Sequence, residues 1–135
     1  MRFLGVDFGS KRIGIAVGED EHGVTTARNP LNASGTLAKD AQQISLLAKA
    51  EKADAIVLGV PQNLPEKDQR MAKVCLQLAD RIREQGWTVH TVNEAYTSVE
   101  SEKSLSSVYK PSAVRKRLDG EAARMILEQY FDGQK

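Results

Sequence analysis

The sequence predicts an α/β domain built on a five-stranded mixed sheet with helices on both faces. The first segments are strand-like and closely spaced, and amphipathic helices then alternate with apolar strands. Short turns between the first three strands predict an antiparallel meander, and helical connections predict two more strands parallel to the first. The length of 135 residues suits one domain, so we expect residues 1–135 to fold as a single unit.

The three N-terminal strands follow from their hydrophobic patterns. Phe3–Phe8 is apolar on both faces apart from Asp7, which is typical of a central strand. Residues 13–17 alternate large apolar with small side chains, which predicts a second strand. A weaker third strand is predicted over Val24–Arg28.

The next three elements are a helix, a strand and a helix. Thr36 can cap a helix whose apolar side chains recur at helical spacing, and Ala55–Val60 reads as a continuous apolar strand ended by Pro61. A long amphipathic helix follows, with Cys75 on its apolar face and Gly86 as its stop.

The C-terminal part is predicted to contain a strand and two helices. Thr88–Val92 forms the fifth strand, and Thr97 begins a capping box that opens a short helix. The last helix is predicted to begin near Asp119 and to run to about Phe131.

Composition excludes several classes of protein. Nineteen Lys and Arg residues against eighteen Asp and Glu give a net charge of +1, which excludes a protein that coats nucleic acid by bulk charge. The single cysteine, Cys75, excludes an internal disulfide and a multi-cysteine zinc site. No apolar run has the length of a membrane span, so we expect a cytoplasmic protein without a membrane partner.

Three acidic residues are predicted to meet at one edge of the sheet. Asp7 ends the first strand, Glu94 follows the fifth, and Asp119 begins the apolar face of the last helix. Each has a simpler interpretation: Asp7 as a cap on the turn through Gly9, Glu94 as a solvated loop residue, and Asp119 as a helix N-cap. Glu121 points elsewhere on the helix and is a second choice.

Carboxylates that converge from separate elements, without cationic side chains beside them, are the ligands that hard divalent cations such as Mg²⁺ or Mn²⁺ require. Two such ions roughly 3.5–4 Å apart activate a water and stabilise the leaving oxygen during phosphodiester hydrolysis. A segment without acids, residues 104–117, ends beside Asp119 and contains Lys110, Arg115, Lys116 and Arg117. It reads either as a solvated loop or as a basic segment that grips a phosphate backbone.

Four sequence stretches carry a resemblance to a known family. They are Val6-Asp7-Phe8-Gly9-Ser10-Lys11-Arg12-Ile13-Gly14, Leu58-Gly59-Val60-Pro61-Gln62-Asn63, Glu94 with Thr97-Ser98-Val99-Glu100, and Asp119-Gly120-Glu121-Ala122-Ala123. The chain thereby resembles the YqgF family, whose members are RuvC-type, RNase H-like nucleases described as Holliday junction resolvases or precursor ribosomal RNA nucleases. The similarity covers essentially the whole chain.

The resemblance implies an RNase H-like fold with Asp7, Glu94 and Asp119 as catalytic, metal-binding acids for Mg²⁺ or Mn²⁺. It implies precursor rRNA or branched DNA as substrate, ribosomal precursor particles as partners, and a monomer or homodimer. The residues expected to bind the nucleic-acid backbone are Lys11, Lys110, Arg115, Lys116 and Arg117. The residues expected to border the site are Gly9, Pro61, Asn63, Asn93 and Thr97.

One departure from the family pattern leaves an alternative open. Where the family has Asp-Glu-Arg, this chain has Asn93-Glu94-Ala95, so one acid and one phosphate-binding arginine are replaced. The alternative is a non-catalytic nucleic-acid-binding or ribosome-assembly module that keeps the nuclease fold. A phosphotransferase lobe is a third interpretation, since Asp7–Gly14 also resembles the phosphate loop of actin-like ATPases. Such enzymes need a second lobe, for which 135 residues are too few.

Overall fold

The computed structural model of the protein describes residues 1–62, 69–95 and 111–134, with the side chains of 62, 95 and 111–118 outside the description. Eight elements follow one another along these residues. They are β1 Arg2–Phe8, β2 Arg12–Glu19, β3 Val24–Asn32, α1 Leu37–Ala50, β4 Ala55–Gln62, α2 Gln69–Glu84, β5 Val89–Ala95 and α3 Pro111–Gly133.

The five strands form one mixed sheet in the order β3-β2-β1-β4-β5. β1 and β2 pair antiparallel, as do β2 and β3, whereas β4 runs parallel to β1 and β5 runs parallel to β4. This arrangement confirms the predicted meander with two helix-connected parallel strands. β1 is the central strand, as expected for a segment that is apolar on both faces.

The two faces of the sheet are covered by different helices. On one face, α1 and α2 pack over a core that includes Leu4, Ile15 and Leu58. On the other face, α3 packs over Phe3, Ala16 and Val57. Among the described residues, no helix is long and apolar enough to cross a membrane.

Local signals for the first two helices are confirmed. Thr36 is the N-cap of α1, and its Oγ1 accepts a hydrogen bond from the Lys39 N–H. Gly86 follows the end of α2 with φ +97°, a left-handed conformation that favours glycine.

The last two strands extend further than their apolar runs predict. β4 continues through Pro61 to Gln62, and β5 continues to Ala95, so that Glu94 lies inside the strand. Pro61 is registered with Glu94 across the β4–β5 pair. Because pairing with a neighbouring strand outweighs local preference, polar residues are carried into the sheet.

The prediction that the last helix begins near Asp119 is wrong. α3 begins at Pro111, so Arg115, Lys116 and Arg117 belong to a helix and Asp119 lies in the helix interior rather than at an N-cap. Proline is favoured in the first helical turn, where its missing N–H has no intrahelical partner to lose. Because the basic segment lacks an apolar stripe, hydrophobic periodicity alone does not predict that the helix begins there.

Small residues let α3 approach the sheet closely. A Cβ on Gly14 of β2 would overlap the carbonyl oxygen of Asp119, and a Cβ on Gly120 would lie 2.7 Å from the Cβ of Ala27. The helix backbone at Asp119 therefore rests directly on β2. This contact fixes where the Asp119 carboxylate can reach.

Candidate functional site

Strand alternation places Asp7 on the face of the sheet that α3 covers. Phe3 packs in the α3 core, and Gly5 lies against Leu127 of α3, so every second residue of β1 faces this helix. Asp7 is the next residue in that series. Its register partner is Gly14, the residue on which the Asp119 backbone rests. Asp7 and Asp119 are therefore neighbours.

Glu94 reaches the same face from the edge strand. Val92 packs with the α3 core, so alternation along β5 directs Glu94 to the α3 side as well. A Cβ on Gly59 would lie 3.1 Å from Glu94 Oε2, which places this carboxylate against β4. The lack of a side chain at Gly59 leaves room for Glu94 beside the centre of the sheet.

Asp119 forms an ion pair with Arg12, at the start of β2. The Arg12 Nε donates to Asp119 Oδ2 at 2.7 Å, and the two side chains are 28% and 20% exposed. Arg12 alternates with Ile13, which packs in the α1–α2 core, and therefore faces α3. The guanidinium and three carboxyl groups thus share one side of the sheet.

Burial and mutual repulsion raise the pKa values of two of these acids. The pKa of Asp7 is raised to about 6, chiefly because burial disfavours its charged form and also because of the Asp119 charge. The pKa of Glu94 is raised to about 7, again chiefly by burial and then by the Asp7 charge. Perturbations of this kind are typical of functional clusters of acids.

Cys75 lies behind the acids and is not a reactive thiol. It is buried on α2 in the core of the opposite face, and its pKa is raised to about 12 by burial and then by the charges of Asp7 and Glu94. The thiol therefore stays protonated at neutral pH and packs as a small apolar side chain.

The donor chemistry of this cluster suits a hard divalent cation. Burial and neighbouring charges disfavour the ionised forms of Asp7 and Glu94, whereas a bound cation would favour them. However, no three His, Cys, Asp or Glu side chains of the described residues are placed so that together they could hold a metal ion. Asp119 is instead engaged by Arg12.

The residues predicted to border the site lie in several places. Gly9 closes the β1–β2 turn by donating its N–H to the Arg12 carbonyl at 3.0 Å, so this N–H is not capped by Asp7. Pro61 lies in β4 beside Glu94. Alternation places the exposed Asn93 on the face opposite to Glu94. Asn63 and Thr97 lie outside the described residues.

The predicted nucleic-acid-binding residues flank the cluster only in part. Lys11 is exposed in the β1–β2 turn. Arg115, Lys116 and Arg117 are in the first part of α3, ahead of Asp119 on the same helix, and their side chains are outside the description. Lys110 lies outside the described residues.

Arg12 is the site residue that the sequence analysis missed. The signal was available, because alternation from Ile13 through Val17 puts Arg12 on the same face as Gly14 and Ala16. Glu121, the second-choice acid, instead pairs with Arg124 at 2.7 Å on the exposed side of α3. That pair is separate from the Asp7–Glu94–Asp119 cluster.

Comparison with known proteins identifies the family. A family model described as "RuvX: Holliday junction resolvase" matches residues 1–133. The chain belongs to this family. A protein of Opitutus terrae named "Putative pre-16S rRNA nuclease" is 36% identical, over 98% of this chain and 92% of its own length. A Coxiella burnetii protein with the same name is 31% identical, over 98% and 93%.

The RuvX assignment agrees with the observed fold. The chain resembles T. thermophilus RuvC, solved in complex with a Holliday junction substrate, with a TM-score of 0.60 and 9% identity over 98% of this chain and 94% of RuvC. At that identity the likeness concerns the fold. The RNase H-like, RuvC-type fold implied by the sequence motifs is therefore confirmed.

Proposed function

We propose that this RuvX-family chain is a metal-dependent endonuclease that hydrolyses phosphodiester bonds in structured nucleic acid. The observation that supports this most directly is the presence of Asp7, Glu94 and Asp119 on one face of the sheet. The charge of Asp119 raises the pKa of Asp7, and the charge of Asp7 raises the pKa of Glu94. Membership of a resolvase family supports the reaction class. We expect the chain to act in the cytoplasm.

Asp7 and Glu94 are the residues that would hold a Mg²⁺ or Mn²⁺ ion, with Asp119 as the third acid. When bound, such ions supply an activated water and stabilise the charge that develops on the leaving oxygen. Asp7 and Glu94 have raised pKa values, so they carry protons at slightly acid pH that a cation must displace. We therefore expect metal binding to strengthen as the pH rises through about 6 to 7.

The protein's own side chains orient the reacting groups. Asp7 and Glu94 project from paired strands and Asp119 from a helix packed on the sheet, which limits how far their carboxylates can move when substrate binds. Arg115, Lys116 and Arg117 precede Asp119 on α3, and we propose that they hold the flanking phosphates of the substrate. Phosphate contacts position a backbone without reading its sequence.

The names of similar proteins favour precursor 16S rRNA as the substrate, whereas the family name favours branched DNA. If the substrate is precursor rRNA, ribosomal precursor particles are the expected partners. Symmetric cleavage of a four-way junction would need two active sites and therefore a homodimer, whereas trimming of an RNA end would need a monomer only. The solution mass with and without a four-way junction distinguishes these states.

The test compares the wild type with Asp7→Asn on precursor small-subunit rRNA and on a four-way DNA junction, each with Mn²⁺ or with EDTA. We expect Mn²⁺-dependent cleavage of at least one substrate by the wild type, and cleavage at the EDTA background by Asp7→Asn. The matched control is Asp80→Asn, which removes an exposed carboxylate on α2. Asp80→Asn is expected to cleave like the wild type.

The alternative function, a non-catalytic module for nucleic-acid binding or ribosome assembly, is favoured by one observation. No three of the described side chains that could ligate a metal are placed to hold it together. Nucleic-acid binding without cleavage under any metal condition would support this alternative. Equal cleavage by the wild type and Asp7→Asn would remove the proposed active site.

A further inference from the structure

The ion pair between Arg12 and Asp119 joins the β1–β2 turn region to the interior of α3. It is formed across 107 positions of sequence, at a short donor–acceptor distance of 2.7 Å. The Arg12 side chain points to the α3 face by strand alternation, where the three acids lie. A positive charge is therefore built into the acidic cluster by the chain itself.

This ion pair is incompatible with full coordination of a cation by Asp119. Arg12 Nε occupies Oδ2 of the carboxylate, and the guanidinium charge repels a divalent ion at the same place. Among the described residues the acids share a face and influence one another, yet no three His, Cys, Asp or Glu side chains are placed to hold a metal ion while Arg12 engages Asp119.

We propose that Arg12 is an internal counter-ion that holds Asp119 until a divalent cation binds, and that the cation then replaces the guanidinium at Asp119 Oδ2. This inference rests on the proposed function. In the metal-free protein, Arg12 compensates one of the clustered negative charges, which would otherwise repel each other. Arg12 is thus a positioning residue that acts on the site through Asp119.

The exposure of the pair makes the exchange feasible. Arg12 is 28% exposed and Asp119 is 20% exposed, so both side chains of the pair keep some contact with solvent. An ion pair that keeps contact with water is weaker than a fully buried one, because solvent screens part of the attraction. A divalent cation that also gains Asp7 and Glu94 as ligands can therefore displace Arg12 from Asp119.

The experiment measures Mn²⁺ affinity directly, from the electron paramagnetic resonance signal of free Mn²⁺, without substrate. The proteins are the wild type, Arg12→Gln, Arg12→Lys, Asp7→Asn, Asp119→Asn and the double variant Arg12→Gln/Asp119→Asn. The matched control is Arg124→Gln, which breaks an Arg–Glu ion pair of the same 2.7 Å length within α3, away from the three clustered acids. Circular dichroism and thermal unfolding verify the fold of each variant.

We expect Arg12→Gln to bind Mn²⁺ roughly three- to tenfold more tightly than the wild type, as removal of a weak competing ion pair predicts. In the Asp119→Asn background the same substitution is expected to change the affinity little, because the carboxylate that Arg12 competes for is gone. Arg124→Gln is expected to match the wild type. Arg12→Lys keeps the charge but loses the Nε donor, and its affinity is expected to lie between wild type and Arg12→Gln.

Several results would overturn the inference. Unchanged or weaker binding by Arg12→Gln would show that Arg12 does not compete with the cation. Equal tightening with and without the Asp119 carboxylate would show an effect of charge at a distance rather than exchange at this residue. If Arg12→Gln does not fold, Arg12→Lys decides the matter by the same comparison.

Different results of the same experiment would contradict the proposed metal site itself. If no protein in the series binds Mn²⁺, both the metal site and the exchange are wrong. If Asp7→Asn abolishes binding while Arg12→Gln leaves it unchanged, the metal site stands and only the role of Arg12 is wrong.

Discussion

Asp7 is a residue at which burial and a neighbouring charge both disfavour the ionised side chain. It continues a strand of buried apolar residues, and it lies beside Asp119. Both effects disfavour its carboxylate, and they raise its pKa to about 6. Between the unfolded value of 3.8 and the folded value of about 6, the folded state keeps a proton that the unfolded chain has already lost.

The first prediction concerns stability without metal. Because the folded pKa of Asp7 exceeds its unfolded value near 3.8, the folded state binds more protons between pH 4 and 6, and its stability falls as pH rises through that window. Asp7→Asn removes the buried charge. In EDTA at pH 8, we expect this variant to unfold with a free energy higher than the wild type by about 1 to 3 kcal/mol.

Urea unfolding at pH 4 and pH 8 measures this difference. At pH 4 the wild-type carboxyl is largely protonated, and the two proteins are expected to differ little. Asp80→Asn serves as the control, because its carboxylate is 72% exposed and solvent hydrates the charge. A variant less stable than the wild type at pH 8 would contradict the assignment of a destabilising charge to Asp7.

At the scale of elements, α3 is the helix that assembles the site. It covers β1, β2 and β4, provides Asp119, and carries Arg115–Arg117 ahead of it. Its close approach to the sheet depends on Gly14 and Gly120, whose missing side chains admit the backbone of α3 and the Cβ of Ala27 respectively. The helix is therefore positioned by contacts in which there is no space for a methyl group.

The second prediction tests that contact with Gly120→Ala. Alanine favours a helix over glycine by up to about 1 kcal/mol, but its Cβ would lie 2.7 Å from the Cβ of Ala27. We expect overpacking to dominate and to lower the free energy of unfolding by about 1 to 3 kcal/mol. Chemical denaturation gives the value.

Gly133→Ala is the matched control on the same helix. A Cβ at Gly133 meets no atom within 4 Å, so we expect an unchanged or slightly increased stability. A Gly120→Ala protein as stable as Gly133→Ala would show that α3 can move away from β3 without cost.

At the scale of the whole molecule, the net charge of +1 conceals two regions of opposite charge. Acidic side chains meet on the α3 face of the sheet, and a run of cations precedes Asp119 on α3. The charges of the two regions have opposite signs and offset each other in the net charge. Overall charge therefore does not argue against a nucleic-acid partner.

The third prediction is that nucleic-acid binding depends strongly on salt despite this near-neutral total. In EDTA, we expect the logarithm of the association constant to fall linearly with the logarithm of salt concentration. Arg117→Gln is expected to lower the slope by about one, the loss of one phosphate contact. Fluorescence anisotropy with labelled precursor rRNA measures the slope.

Lys49→Gln is the control for the salt experiment, since Lys49 is exposed at the end of α1, on the other side of the sheet. Its slope is expected to equal that of the wild type. Equal slopes for Arg117→Gln and the wild type would remove the start of α3 from the binding surface.

Much of the fold was predictable because its signals are local. The apolar run of β1, the alternation in β2 and the cap at Thr36 depend on neighbouring residues alone, and all three predictions are confirmed. The prediction that Asp7 and Glu94 lie close together followed from the rule that the carboxyl ends of parallel strands meet at one edge of a sheet. The start of α3 was missed, because the helix begins at Pro111 without an apolar stripe.

The sequence by itself determined the order of the described elements and the mixed sheet, and it placed Asp7 and Glu94 at one edge of that sheet, since hydrophobic period and turn residues suffice for these. Only the tertiary structure decided that Glu94 belongs to β5, that Asp119 lies inside α3, and that Arg12 pairs with Asp119. The physical reason is distance along the chain. A strand extended by its neighbour, a helix seated on glycines and an ion pair across 107 positions arise from packing, which no local pattern specifies.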